Sequence, residues 1–230
     1  MESALANSAV WGTLLTLSAY MAGLFMKNKS KMTVMNPLCI AIILVIAVLL
    51  VFHMDYEAYR SSSQYITCLL TPATVCLALP LYERLDLLKS KFNIVLGGIL
   101  TGVLTCFAVV LALSGLFHLT HSMYVTLLLK SVTMAIGVAV VEQLGGYVPI
   151  AAAVIIVTGL LGNMFAESIF RICKIEDPVA RGLALGTASH VIGTARAMEL
   201  GQTEGAISSL AIVITGLVTV ILVNAFAVLL

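Results

Sequence analysis

Long apolar stretches alternate with short polar ones along this chain, and the lengths of the apolar stretches set the first expectation. Residues 4–26, 36–54, 65–82, 92–114, 148–171 and 205–228 run almost without charge. About 20 apolar residues suffice to cross a hydrocarbon core as helix. Six such runs predict an all-α integral membrane protein, one transmembrane domain over residues 1–230. Two further apolar segments, 123–143 and 181–200, differ in kind, because glycines, hydroxyl residues and isolated charges interrupt them. These are expected to be broken or re-entrant helices.

Composition sharpens this picture. Apolar residues make up 61% of the 230 and charged residues 10%, far from the balance of a soluble globular chain. The first apolar run is long and has no basic residue ahead of it, so it reads as a retained span rather than a cleaved signal. A net charge of +1 offers a nucleic acid nothing to bind. The five cysteines, Cys39, Cys68, Cys76, Cys106 and Cys173, lack metal-ligand spacing and read as packing residues. With no Walker-type loop and no HExxH sequence, neither an enzyme activity nor a cofactor or metal is expected. Asn28-Lys29-Ser30 matches a glycosylation sequon, but it lies in a lysine-rich loop assigned to the cytoplasm and reads as coincidence.

Basic residues then orient the chain. They form three clusters: Lys27, Lys29 and Lys31; Arg84, Lys89 and Lys91; Arg171, Lys174 and Arg181. Lysine and arginine in short loops favour the cytoplasmic side. If 123–143 and 181–200 both dip in and return, all nine residues lie inside and only Arg60 lies outside. That arrangement predicts six full spans, both termini outside, and one re-entrant segment from each face of the membrane.

The two interrupted segments also resemble one another. Residues 127–146 align on 183–202 with Leu127/Leu183, Leu129/Leu185, Ile136/Ile192, Gly137/Gly193, Ala139/Ala195, Leu144/Leu200 and Gly145/Gly201 identical. One span separates them, so the copies would enter from opposite sides, the inverted-repeat arrangement of many secondary transporters. A third segment, 65–85, aligns with 124–144 through Tyr65/Tyr124, Thr67/Thr126, Thr74/Thr133 and Glu83/Glu142, and carries Pro72 and Pro80. Either pairing could be the inverted one.

A helix broken inside a membrane frees backbone groups that lipid cannot satisfy, so a break must be buried or line a wet cavity. Gly182, Gly186 and Gly193 permit unwinding, while Thr187, Ser189 and Thr194, with Ser131 and Thr133 in the other copy and Thr74 in the third, offer hydroxyls to a ligand. Close helix packing explains the same small residues equally well. Lys130 could supply a point charge to an anion, or could bond a nearby carbonyl close to an interface. Arg196 could clamp a carboxylate, or could pair with Glu199 one turn away. His190 is a candidate proton carrier or a hydrogen-bonded structural histidine; Glu142 and Glu199 would titrate if buried. Glu167 is expected to face a neighbouring helix or the inner interface.

With these residues in view, "ARGLALGTASHVIGTARAMELGQTEGAISSLA" resembles the signature of the LrgB/CidB family, and "LTPATVCLALPLY" and "LLLKSVTMAIGVAVVEQLGG" resemble its other recurrent motifs. Val191 stands where the family more often has glycine, Leu129 where proline is common, and Met134-Ala135 where Thr-Pro is common. The resemblance implies one of two functions. The first is a secondary carrier, or carrier subunit, for small monocarboxylates such as pyruvate, glycolate or glycerate, with coupling to protons left open. The second is a holin- or antiholin-like regulator of murein hydrolase activity and lysis. It also implies a small LrgA/CidA-type membrane partner and a homo-oligomer, with a dimer favoured.

Overall fold

The computed structural model describes residues 10–30, 36–69, 72, 75, 76, 82 and 85–230, with the backbone alone at 30 and 85–91. Among the described residues it is all helical: α1 Trp11–Ser30, α2 Pro37–Val51, α3 Tyr56–Ser62, α4 Gln64–Cys68, α5 Leu85–Leu116, α6 His121–Leu128, α7 Met134–Gln143, α8 Val148–Ile172, α9 Pro178–Leu200 and α10 Gln202–Ala227. The chain divides into two compact units, residues 1–76 and 77–230.

In the first unit α1 and α2 pack through Ala19, Ala41 and Val45. Gly23 makes this possible, since a side chain there would meet the Pro37 backbone carbonyl at 2.5 Å. The short α3 is tied to the start of α1 by polar contacts. The Gly12 N–H donates to Ser62 Oγ at 3.0 Å, Thr13 Oγ1 to the Ser62 carbonyl at 3.0 Å, and Thr16 shares a hydrogen bond of 2.7 Å with the Tyr59 hydroxyl. Leu14, Leu17, Met21 and Phe25 form an exposed apolar stripe on α1. A soluble helix would turn such a stripe inward.

Among the described residues, three helices are long and apolar enough to cross a membrane, namely residues 92–116 of α5, α8 and α10. They match three of the expected spans. α2 is shorter than its predicted run of 36–54: its 15 residues reach about 22 Å at 1.5 Å per residue, less than the roughly 30 Å of a hydrocarbon core. The reason is a left-handed stop at His53, φ 48°, where the Met54 N–H turns back to the Leu49 carbonyl at 2.9 Å. His118 ends α5 and Lys174 ends α8 in the same way, with φ of 50° and 54°. Glycine usually occupies such positions, so these stops carry no glycine signal in the sequence. Half of the run 65–82 lies outside the described residues.

Both interrupted segments fold as hairpins. The first leaves α6, turns through residues 129–133 and returns along α7. Its closure is direct, because the Tyr147 N–H donates to Thr126 Oγ1 at 2.8 Å and a side chain on Gly146 would meet Val125 at 3.2 Å. A straight helix would separate residues 126 and 147 by about 30 Å. The second turns at His190, whose φ of 42° and ψ of −134° interrupt α9. Residues 178–189 and 191–200 are its two arms. A side chain on Gly193 would meet the Leu185 carbonyl at 2.5 Å, eight residues back and about 12 Å away in an unbroken helix.

Packing against α10 fixes the directions. Gly182 faces Glu204 and Gly186 faces Ser208, so the first arm runs parallel to α10; Gly205 faces Met198 and Thr194 bonds Ser208, so the second runs antiparallel. The second hairpin therefore enters at the end where α8 finishes and α10 begins. The first enters at the opposite end, where the Tyr124 hydroxyl donates to the Phe226 carbonyl at 2.8 Å. One segment enters from each end, as the sequence predicts.

Candidate functional site

α5 passes both hairpin tips. A side chain on Gly102 would meet Thr187 Cγ2 at 2.9 Å, and Cys106 Sγ lies 3.8 Å from Ser131 Oγ. These positions are one turn apart, near the middle of the apolar stretch 92–116. Beside them is a cavity of about 530 Å³, lined by Lys130 and Ser131 from the first tip, Thr187 and Ala188 from the second hairpin, α5 and the middle of α10. That volume falls within the range of about 300–1,000 Å³ typical of ligand pockets.

Its walls are mainly apolar and its polar groups are few. Lys130 Nζ donates to Ser131 Oγ at 3.1 Å, and among the described residues no carboxylate lies within ion-pair distance of it. Thr187 and Thr215 line the cavity, but their hydroxyl oxygens are buried beneath its surface, without a hydrogen-bond partner among the described residues. A lone cation in such an apolar wall can receive a small anion.

The second hairpin is pinned to α8 on its other side. His190 Nε2 lies 3.0 Å from the Ile155 carbonyl oxygen, Ser189 fits where Gly162 has no side chain, and Asn163 Nδ2 donates to the Ile192 carbonyl at 2.9 Å. Below these, the Arg196 guanidinium bonds Glu167 of α8 and Glu199 of its own arm. Residues 155, 159, 162, 163 and 167 recur at helical spacing, so one face of α8 holds the whole arm.

Of the predicted ligand-contact residues, Lys130, Ser131 and Thr187 line the cavity. Thr133 stands at the N-cap of α7, outside the cavity lining, while Ser189, His190, Gly193 and Thr194 are buried in the hairpin's contacts with α8, its own first arm and α10. Arg196 does not reach the cavity. Its fork is filled by two carboxylates: the pairing with Glu199, one of the two readings of the sequence, is present, and Glu167 joins it from α8, in keeping with the expectation that it faces a neighbouring helix. Glu142 and Glu199 are exposed. Thr74 and Pro80 lie outside the described residues.

Sequence pattern alone does not mark Cys106, Thr215 and Thr219, because single polar residues within long apolar helices carry no local signal. Nor does it mark Glu204, the one carboxylate among the described residues that is buried. Its place in the first turn of α10 puts its charge against the free amides of that helix end.

Known proteins match this chain over most of its length. The LrgB-like family model matches residues 16–229. The chain is 36% identical to the holin-like protein CidB of Staphylococcus epidermidis, covering 94% of each chain. It is 34% identical to the holin-like protein CidB of Staphylococcus aureus, over 91% of this chain and 92% of that one. It is 31% identical to the antiholin-like protein LrgB of Bacillus subtilis, over 98% of this chain and 97% of the relative. No solved structure matches.

Proposed function

We propose that this chain, which belongs to the LrgB-like family, is a secondary carrier or carrier subunit for small monocarboxylates, with Lys130 as the counter-charge for the carboxylate. The observation that carries this reading is the half-buried Lys130 ammonium, without a carboxylate partner among the described residues, in a largely apolar cavity at mid-helix depth. Half-burial takes part of its hydration from that charge, and an anionic guest supplies the counter-charge. The opposed hairpins support it too. We read them as an inverted repeat: the sequence alignment pairs α7 with residues 190–199, which are the turn and second arm of the other hairpin. Sites of secondary carriers lie where such broken segments meet near the midplane.

The end of the second unit bearing Arg171, Lys174 and Arg181 is the cytoplasmic one in this reading, and the membrane is the bacterial cytoplasmic membrane. A small LrgA/CidA-type protein and a second copy of the chain are the proposed partners. The names of the relatives favour a second reading, a holin- or antiholin-like regulator of murein hydrolase activity and lysis. A regulator of that kind has no need of a saturable carboxylate site. Uptake of radiolabelled pyruvate into proteoliposomes, with and without the small partner, separates the two. Saturation and competition by unlabelled acid are expected; linear, uncompetable flux or none would remove the carrier reading.

A further inference from the structure

The cavity is much larger than a three-carbon acid needs. Six heavy atoms at roughly 30 Å³ each, the share of a water molecule in the liquid, fill about 180 Å³ of the 530 Å³. The remainder is bounded by Val103, Phe107, Leu128, Val132 and Leu183, with Val103, Phe107, Leu128 and Val132 buried in the core of this unit. Lys130 is the one charged residue in the lining among the described residues. A second carboxylate would meet apolar wall with no counter-charge, which disfavours dicarboxylates.

We propose that the preferred guest is a monocarboxylate with a short aliphatic tail of about three to four carbons beyond its 2-oxo or 2-hydroxy carbon, and that the accessible part of the wall, Val109, Leu183 and Ala184, selects it. This rests on the carrier reading. The carboxylate sits at Lys130, the oxygen on the adjacent carbon lies toward Ser131, and the tail covers the apolar wall. Each buried methylene favours binding about fourfold. A guest with three carbons more than pyruvate has nine heavy atoms and about 270 Å³ by the same measure, so it fits.

The test is competition against saturable uptake of radiolabelled pyruvate in proteoliposomes containing the full chain and its small partner. 4-Methyl-2-oxopentanoate is expected to inhibit at least about tenfold more strongly than pyruvate, and succinate to inhibit less than pyruvate. Saturable pyruvate uptake with equal or weaker inhibition by the branched acid would overturn this inference and leave the carrier reading standing. Absence of saturable uptake would remove the carrier reading itself. Ala184 also lines the cavity from the first arm, so Ala184→Leu should bring the ratio of the two inhibitory concentrations close to one. Val109→Phe, on a side of α5 that is exposed yet lines the same cavity, is an independent second variant with the same expected change. An unaltered ratio in both would overturn the assignment of the wall.

Discussion

Gly102 and Cys106 stand one helical turn apart on α5, and each faces the tip of a different hairpin: Thr187 of the second and Ser131 of the first. Two segments entering from opposite ends therefore meet within about 6 Å of helix rise, and Cys106 lines the cavity they share. In a variant whose other four cysteines are replaced, a small methanethiosulfonate reagent should label Cys106, and saturating pyruvate should slow that labelling severalfold. Labelling at an unchanged rate would place the guest elsewhere.

The hairpins also fix which loops share a side. Cysteines introduced at Thr120 and Tyr147 should react with an impermeant maleimide from outside, whereas those at Glu176 and Gly201 should react only from the cytoplasm. Positions 120 and 147 bracket the first hairpin, whose closure at Thr126 and Tyr147 is a hydrogen bond of 2.8 Å. Labelling of 120 and 147 from different sides would show a segment that crosses.

Lys130 distinguishes the two functional readings most directly. Lys130→Met removes the cavity's cation, and the loss of a hydrogen bond to a charged group costs about 1.5 to 3 kcal/mol. The half-saturation concentration for pyruvate should rise at least about tenfold, with normal amounts in the membrane. Lys130→Arg keeps the charge in a different shape and should fall between. Unchanged uptake by Lys130→Met would remove Lys130 from the site.

Helix content and both hairpins are legible in the sequence because glycines and polar residues interrupt otherwise continuous apolar runs, and because Gly145 and Gly201 close the two segments at matching positions. The location of the turns is less legible. In the first hairpin the break occupies residues 129–133, while the second turns at a single residue, His190, and the alignment offers no reason for the difference. The cavity itself is only half legible. Lys130, Ser131 and Thr187 lie on interrupted segments, but Cys106 and Thr215 come from unbroken helices, where a polar residue looks like any other minor constituent. Sequence alone leaves Arg196 between a substrate clamp and a pair with Glu199, because its further partner Glu167 is 29 residues away on α8 and sequence spacing reveals only the nearer Glu199.

Close packing of the second hairpin on α10 makes a clear stability prediction. A side chain at Gly186 would meet the Ser208 carbonyl at 2.5 Å and the Ala211 Cβ at 2.7 Å, and backbone cannot step aside as a flexible side chain can. Gly186→Ala should cost about 1 to 3 kcal/mol, read as a lower Tm in detergent. A Cβ at Gly97 would meet nothing within 4 Å, so Gly97→Ala should leave Tm unchanged or raise it, by up to about 1 kcal/mol of helix propensity.

Arg196 supplies the last prediction, because its two partners differ in exposure. The Arg196 side chain is 18% exposed, Glu167 34% and Glu199 57%. Water and salt screen the Glu199 contact more strongly, and exposed pairs at this helical spacing contribute only about 0.3–0.5 kcal/mol. The Glu167 contact joins the second arm to α8, so its loss frees the hairpin as well as a charge. A double-mutant cycle with Arg196→Ala and Glu167→Ala, scored by Tm in detergent, should therefore give a coupling energy of about 1 to 3 kcal/mol. The cycle with Glu199→Ala should give less than about 0.5 kcal/mol. Arg196→Ala should lower Tm while leaving the half-saturation concentration of the folded fraction within about threefold, since the guanidinium lies outside the cavity. If half-saturation instead rises about thirtyfold with Tm unchanged, Arg196 is a substrate ligand after all and the ion-paired tie to α8 is not its role.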